Sequence, residues 1–166
     1  MRRQRSSGHP ASGQPRPPRR TPEASPGRAR GKLTGCPSCS ASYREGRWTW
    51  TAAPVGSHEQ VCPACERIAA RYPAGVLHVG GGFATSHRDD LIGLIRNVEE
   101  RERSQHPLKR VMAIEDEDGG FLVETTDAKL VQTLGRALRK AYAGRLEHPP
   151  TSSDRENLVR IRWTRD

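Results

Sequence analysis

The sequence predicts an α+β fold in three parts: a basic tail without a core, a small cysteine-built module, and a larger domain of strands and helices. Three observations predict it. The only four cysteines stand in two Cys-Pro-x-Cys pairs, Cys36-Pro37-Ser38-Cys39 and Cys62-Pro63-Ala64-Cys65. The excess positive charge lies in the first 35 residues. From residue 75 onward, short runs of period-2 alternation exchange with stretches of helical spacing.

Residues 1–35 hold Arg2, Arg3, Arg5, Arg16, Arg19, Arg20, Arg28, Arg30 and Lys32 against the single acid Glu23, a net +8 out of +9 for the chain. The remainder carries nineteen bases and eighteen acids. The tail has six prolines and no aromatic residue. Such a stretch cannot bury enough apolar surface to offset its ordering entropy, so it is expected to be disordered. Arg16, Arg19, Arg20, Arg28, Arg30 and Lys32 are its candidate phosphate contacts. Arg-rich starts also occur in organelle transit peptides, but the prolines oppose the amphipathic helix those need. No apolar run reaches membrane-spanning length and no signal-peptide core is present, so a soluble, cytoplasmic chain without membrane contact is expected.

Residues 36–70 form the first folded unit. A two-residue spacer turns the second sulfur of each pair back toward the first. Two such knuckles supply the four soft ligands of a tetrahedral, closed zinc site. A closed site cannot activate water, so the metal would fold the unit rather than catalyse. Iron in a rubredoxin-like site would use the same ligands. Paired disulfides or a redox Cys-x-x-Cys are the other readings, and neither a second copy nor the missing secretory signal suits them. Between the knuckles, Tyr43 to Thr51 alternates around Gly46 and reads as a β-hairpin, giving a zinc-ribbon-like module. Trp48 and Trp50 share one face as core or as a stacking platform, with Arg44 and Arg47 able to contact phosphate.

Residues 75–166 form the second unit. Val76 to Val79 reads as a strand ending in Gly80-Gly81-Gly82. Ser86 with Asp89 resembles a capping box for a helix carrying Leu91, Ile92, Leu94, Ile95 and Val98, which stops before His106-Pro107. Arg110 to Glu115 and Phe121 to Thr125 read as a hairpin around Asp116 to Gly120. Asp127 caps a second helix with Leu130, Val131, Leu134, Leu138 and Tyr142, and Gly144 lies near its end. Leu158 to Trp163 closes the chain as a strand. The order β-α-β-β-α-β is the ferredoxin-like arrangement. Its inward positions would be Leu77, Val79, Met112, Ile114, Phe121, Val123, Val159, Ile161 and Trp163. Its open face would show Leu122, Glu124, Arg160 and Arg162, the last two as candidate nucleic-acid contacts.

No catalytic constellation is present. The histidines are scattered, and the glycine turn lacks the Gly-Lys-Ser/Thr of a P-loop. A strand-to-helix turn is the simpler reading of those glycines. Leu77-His78-Val79-Gly80 and Gly119-Gly120-Phe121-Leu122-Val123 sit where RNA-recognition motifs carry their signatures. The matching exposed positions hold His78, Gly120 and Leu122 instead of base-stacking aromatics. Asp89-Asp90 suits a helix N-terminus and Glu115 to Asp118 a solvated turn. Arg136, Arg139 and Lys140 form a basic face on the second helix, solvated or in contact with phosphate.

The paired Cys-Pro-x-Cys knuckles, the stretch from Glu124-Thr125-Thr126-Asp127 through Lys140-Ala141-Tyr142-Ala143-Gly144, and the closing Val159-Arg160-Ile161-Arg162-Trp163 together resemble a known family. It is the large-subunit nuclear export adaptor family, of nonsense-mediated-decay type, which affects ribosome stability and mRNA decay. The resemblance covers roughly residues 34–166. It implies a short prokaryotic relative without the longer members' further knuckles, β-domains and transport signals. It also implies zinc on Cys36, Cys39, Cys62 and Cys65, and binding to ribosomal RNA or the large ribosomal subunit. It carries over no RNA-contact residue. The expectation is therefore a non-enzymatic zinc protein bound to RNA, with no small-molecule substrate. The alternative is a zinc-stabilised protein-protein or DNA-binding adaptor.

Overall fold

The computed structural model describes residues 33–149 and 158–166. The first unit is a small four-stranded sheet. Strands β1 (Thr34–Gly35), β2 (Ser42–Arg44), β3 (Arg47–Thr49) and β4 (His58–Glu59) lie in the order β3-β2-β1-β4. Helix α1 (Pro63–Ala69) follows. The hairpin is the one the alternation predicts. Arg44 faces Arg47 across a two-residue turn, and both turn residues, Glu45 and Gly46, have positive φ, as the tight hairpin turn with the strands' own twist requires. β1 falls in the last positions of the segment expected to have no core, and Thr34 is buried.

The larger unit contains β5 (Gly75–Gly80), α2 (Gly82–Ser86), α3 (Arg88–Gln105), β6 (Val111–Glu117), β7 (Gly120–Thr125), α4 (Ala128–Tyr142), β8 (Arg145–Glu147) and β9 (Val159–Thr164). Its five-stranded sheet runs β6-β7-β5-β9-β8. The β-α-β-β-α order holds as far as α4, and then the path differs from the ferredoxin-like expectation. The short strand β8 follows α4 at the sheet edge, and the chain then reverses. β9 is antiparallel to β8 and parallel to β5, lying between the two. β8 leaves no periodic signal in the sequence, because it is three residues long with one half-buried side chain.

Helices α3 and α4 pack against each other and against one face of this sheet. The core joins Leu77, Val79, Phe121, Val123, Ile161 and Trp163 to Leu91, Ile95 and Val98 of α3 and Leu130, Val131, Leu134 and Leu138 of α4. Most of the expected inward positions are here; Met112 is not. A β-bulge between Val111 and Ala113 inserts one residue, so Val111 and Ile114 pack against the core while Met112 does not join it. The capping box at Ser86 does not form either. Gly82 to Ser86 is a separate helical turn, and the Ser86 hydroxyl donates back to Gly82 O at 2.8 Å. His87 stands at the start of α3 without a side-chain cap. Asp127 behaves as expected, accepting from the Leu130 N–H at 2.8 Å. Trp163 is fully buried, and its indole N–H donates to Ala143 O at 2.8 Å, so its one polar atom is satisfied.

Two substitutions test these local assignments. Asp127→Ala removes the α4 cap and should cost about 1 kcal/mol. Gly93→Ala, in the middle of α3 where an added methyl meets nothing within 4 Å, should stabilise by about 1 kcal/mol. Urea unfolding midpoints should shift in opposite directions; a fall for Gly93→Ala would contradict the assigned helix.

Candidate metal centre

The first knuckle is the turn between β1 and β2. The Cys36 N–H donates to Ala41 O at 2.7 Å and the Ser40 N–H to Cys36 O at 2.9 Å, with Ser40 in the left-handed region. The second knuckle opens α1. Cys62 is its N-cap, Pro63 takes the first helical position where no N–H is needed, and the Cys65 N–H donates to Cys62 Sγ at 3.5 Å. β1 and the strands beside it bring the knuckles together. All four sulfurs lie within 4.8 Å of one another, and Cys39 Sγ and Cys62 Sγ are 3.7 Å apart. Four sulfurs bonded to one metal at about 2.3 Å in a tetrahedron would be separated by about 3.8 Å. The cysteines are free thiols rather than disulfides. Cys36, Cys39, Cys62 and Cys65 can therefore hold a metal ion, with every coordination position filled by sulfur.

A residue that no sequence motif marks completes the centre. Arg110, between α3 and β6, is buried and reaches across from the larger unit. Its guanidinium donates to Cys39 Sγ at 3.0 Å and Cys65 Sγ at 3.3 Å, with Cys62 Sγ at 3.9 Å. Its Nε donates to Pro107 O at 2.7 Å. Among the described residues it has no carboxylate partner; the sulfurs are its counter-charge. A buried guanidinium requires one. Four thiolates around a dication leave two negative charges, so the centre and Arg110 suit each other. The Cys62 N–H adds a donor to Cys36 Sγ at 3.3 Å. These outer contacts stabilise thiolates and orient them.

The protonation equilibria follow the same geometry. Burial acts to raise the Cys39 thiol, but hydrogen bonds from Arg110, the Ala41 backbone and Cys36 outweigh it and bring its pKa down to about 7. Burial pushes the Cys62 and Cys65 thiols up. Burial also opposes the charge on Arg110, yet the Cys39 and Cys65 sulfurs hold its pKa above the usual arginine value.

Arg110 is itself held firmly. Its backbone N–H donates to Thr126 Oγ1 at 2.9 Å, and the Thr126 N–H donates to Arg110 O at 2.9 Å. The Thr126 hydroxyl donates to Leu108 O at 2.6 Å. Glu99, also buried, accepts from the Val111 N–H at 2.7 Å and from Arg96 at 2.9 Å. Lys109 and Glu102 pair at 2.6 Å, and this hydrogen bond holds the Glu102 carboxyl below the usual range. Trp50 separates from Trp48 in role. Trp48 is buried beside Tyr43 in the cysteine cluster. Trp50 is more exposed and donates its indole N–H to Arg103 O, at the end of α3, at 2.6 Å. The guanidinium carbons of Arg103 and Arg110 each lie 5.6 Å from the centre of the Trp50 ring.

The other candidate residues are dispersed. Arg44 and Arg47 face each other, exposed, at the β2–β3 turn. Arg160 and Arg162 lie on β9, Arg162 exposed and Arg160 half-buried, with the Arg160 Nε lacking a partner among the described residues. Arg16, Arg19, Arg20, Arg28, Arg30 and Lys32 lie outside the described residues. Among the described residues no helix is long and apolar enough to cross a membrane. Comparison with protein-family models, curated proteins and solved structures finds no match.

Elemental analysis of reduced protein should find one metal per chain, and Cys62→Ser should lose it. Metal uptake requires thiolates, so the raised Cys62 and Cys65 thiols must release protons as it binds. Affinity in chelator competition should therefore fall as pH is lowered through about 7, where Cys39 also protonates. An affinity flat in pH would contradict coordination by these thiols.

Proposed function

We propose that this chain is a non-enzymatic, zinc-stabilised RNA-binding protein of the cytoplasm that docks on ribosomal RNA of the large ribosomal subunit, with consequences for ribosome stability or mRNA decay. The closed sulfur site supports a structural metal, and zinc is the dication best suited to four thiolates in a tetrahedron. The observation that carries the polyanion reading is the basic character of α4. Lys129, Arg136, Arg139 and Lys140 lie on it outside the buried stripe, and residues 128–142 include no acid. To it the sequence adds a tail of net +8. Helix and tail supply sequence-independent attraction to phosphate, while the metal-braced body supplies shape. The resemblance in the knuckles and in residues 124–144 makes ribosomal RNA the expected polyanion.

Deleting residues 1–32, which spares Leu33 and its carbonyl that accepts from the His58 N–H at 3.2 Å, should leave metal content and unfolding unchanged and weaken co-sedimentation with ribosomes. It should also flatten the salt dependence of binding, by about 0.7 to 0.9 in log affinity against log salt for each phosphate the tail neutralises. Replacing Arg136, Arg139 and Lys140 with Gln should weaken co-sedimentation separately. Wild-type protein remaining at the top of a low-salt gradient would overturn the ribosome reading and favour the adaptor alternative.

A further inference from the structure

At the far end of β6 from Arg110, a cleft of about 570 Å³ opens where β5 and β9 end and β6 turns into β7. His78, Gly80, Gly82, Glu117, Asp118 and Arg162 face it. Its size falls within the roughly 300–1,000 Å³ of small-ligand sites. Some glycines here are required by packing. A Cβ on Gly120 would run into the Val79 carbonyl, and one on Gly81 into the Arg165 backbone. Gly80 and Gly82 are different. Neither has positive φ; a Cβ on Gly80 would make ordinary contacts from 3.7 Å outward, and one on Gly82 would meet nothing within 4 Å. Neither backbone strain nor packing demands glycine at these two positions. Their bare backbones keep the cleft open.

The polar groups around the cleft are complementary to one kind of ligand. Arg162 stands between His78 of β5 and Glu147 of β8 in the sheet register; Glu147 pairs with Arg145 at 3.6 Å, and the exposed Arg162 side chain makes no hydrogen bond or ion pair among the described residues. It is available to an anion. Glu117 is held by His78 Nδ1 at 3.0 Å through one oxygen, leaving the other to accept. A simple anion would be repelled by Glu117 and Asp118. A ligand with both a phosphate and hydroxyl donors would satisfy both sets of groups, since ionised carboxylates only accept.

We propose that this cleft takes one unpaired ribonucleotide, its phosphate on Arg162 and its ribose hydroxyls on Glu117 and Asp118. The proposal rests on the RNA reading above and gives it a site that discriminates RNA from DNA through the 2′-hydroxyl. Phe121 lines the cleft but is fully buried, so no exposed ring is offered to a base, which would stay outside and leave the site tolerant of sequence.

The test is fluorescence anisotropy of the full chain with a short single-stranded oligoribonucleotide and its deoxy counterpart at low salt. Metal content and unfolding midpoint serve as fold controls. The wild type should prefer the ribo form, by about tenfold for a charged hydrogen bond to the 2′-hydroxyl. Filling the cleft with Gly82→Leu or Gly80→Val should abolish that preference with the fold intact. Replacing Glu117 and Asp118 together with Ala should make the two oligonucleotides equivalent, and Arg162→Ala should weaken both. The tail's charge attracts both forms alike, so the ribo preference reports the cleft. Binding of RNA with the preference unchanged in Gly82→Leu would overturn the cleft while leaving the RNA reading intact. No binding of RNA by the wild type would overturn both.

Discussion

The structure depends on one buried charge. Arg110 projects from the larger unit into the sulfur cluster of the smaller one, where Cys39 and Cys65 are its nearest acceptors. Without negative sulfur, a buried guanidinium lacks its counter-charge; without Arg110, the four thiolates of a metal-loaded centre would lose their nearest cation in a small module with little apolar core. The small unit has only Ala41, Trp48 and Ala64 buried alongside its cysteines in that cluster. Apolar burial on that scale does not fold a domain, so a metal ion held by the four cysteines, with Arg110 beside it, would complete the module. The same contact fixes the units against each other, helped by Trp50 on the end of α3.

The link from α3 to β6 is built around that charge. Thr126 pins Leu108 and Arg110, Glu99 pins Val111, and Lys109 closes onto Glu102. The bulge that follows sets the register of β6, so that its far end delivers Glu117 to His78. The return of β9 between β5 and β8 then lays Arg162 beside the same histidine. The cysteine cluster and the cleft thus lie at opposite ends of β6, the first able to hold a metal ion and the second offering mixed polar chemistry.

Features that rest on local chemistry were legible in the sequence. The cysteine spacing announces the metal ligands, the Glu45-Gly46 turn its hairpin, and Asp127 its helix. The apolar stripes of α3 and α4 name the core they form. What is not legible depends on tertiary context. Met112 looks inward until a bulge displaces it, and Ser86 looks like a cap until a preceding helical turn claims its hydroxyl. The strands β1, β4 and β8 are too short for periodicity to register. Arg110 reads as the first residue of an alternating strand, and nothing along the chain says that sulfurs up to 71 positions away surround it.

The central claim is that Arg110 acts as the counter-charge of the metal–thiolate centre. The direct measurement is the metal dissociation constant of Arg110→Met against wild type by chelator competition, since methionine keeps apolar bulk and removes charge. Loss of an outer-sphere partner of this kind should weaken metal binding by about 10- to 100-fold. Trp50 emission should change as the ring loses one of its two neighbouring cations, Arg103 remaining. Wild-type affinity in a folded Arg110→Met protein would contradict the account.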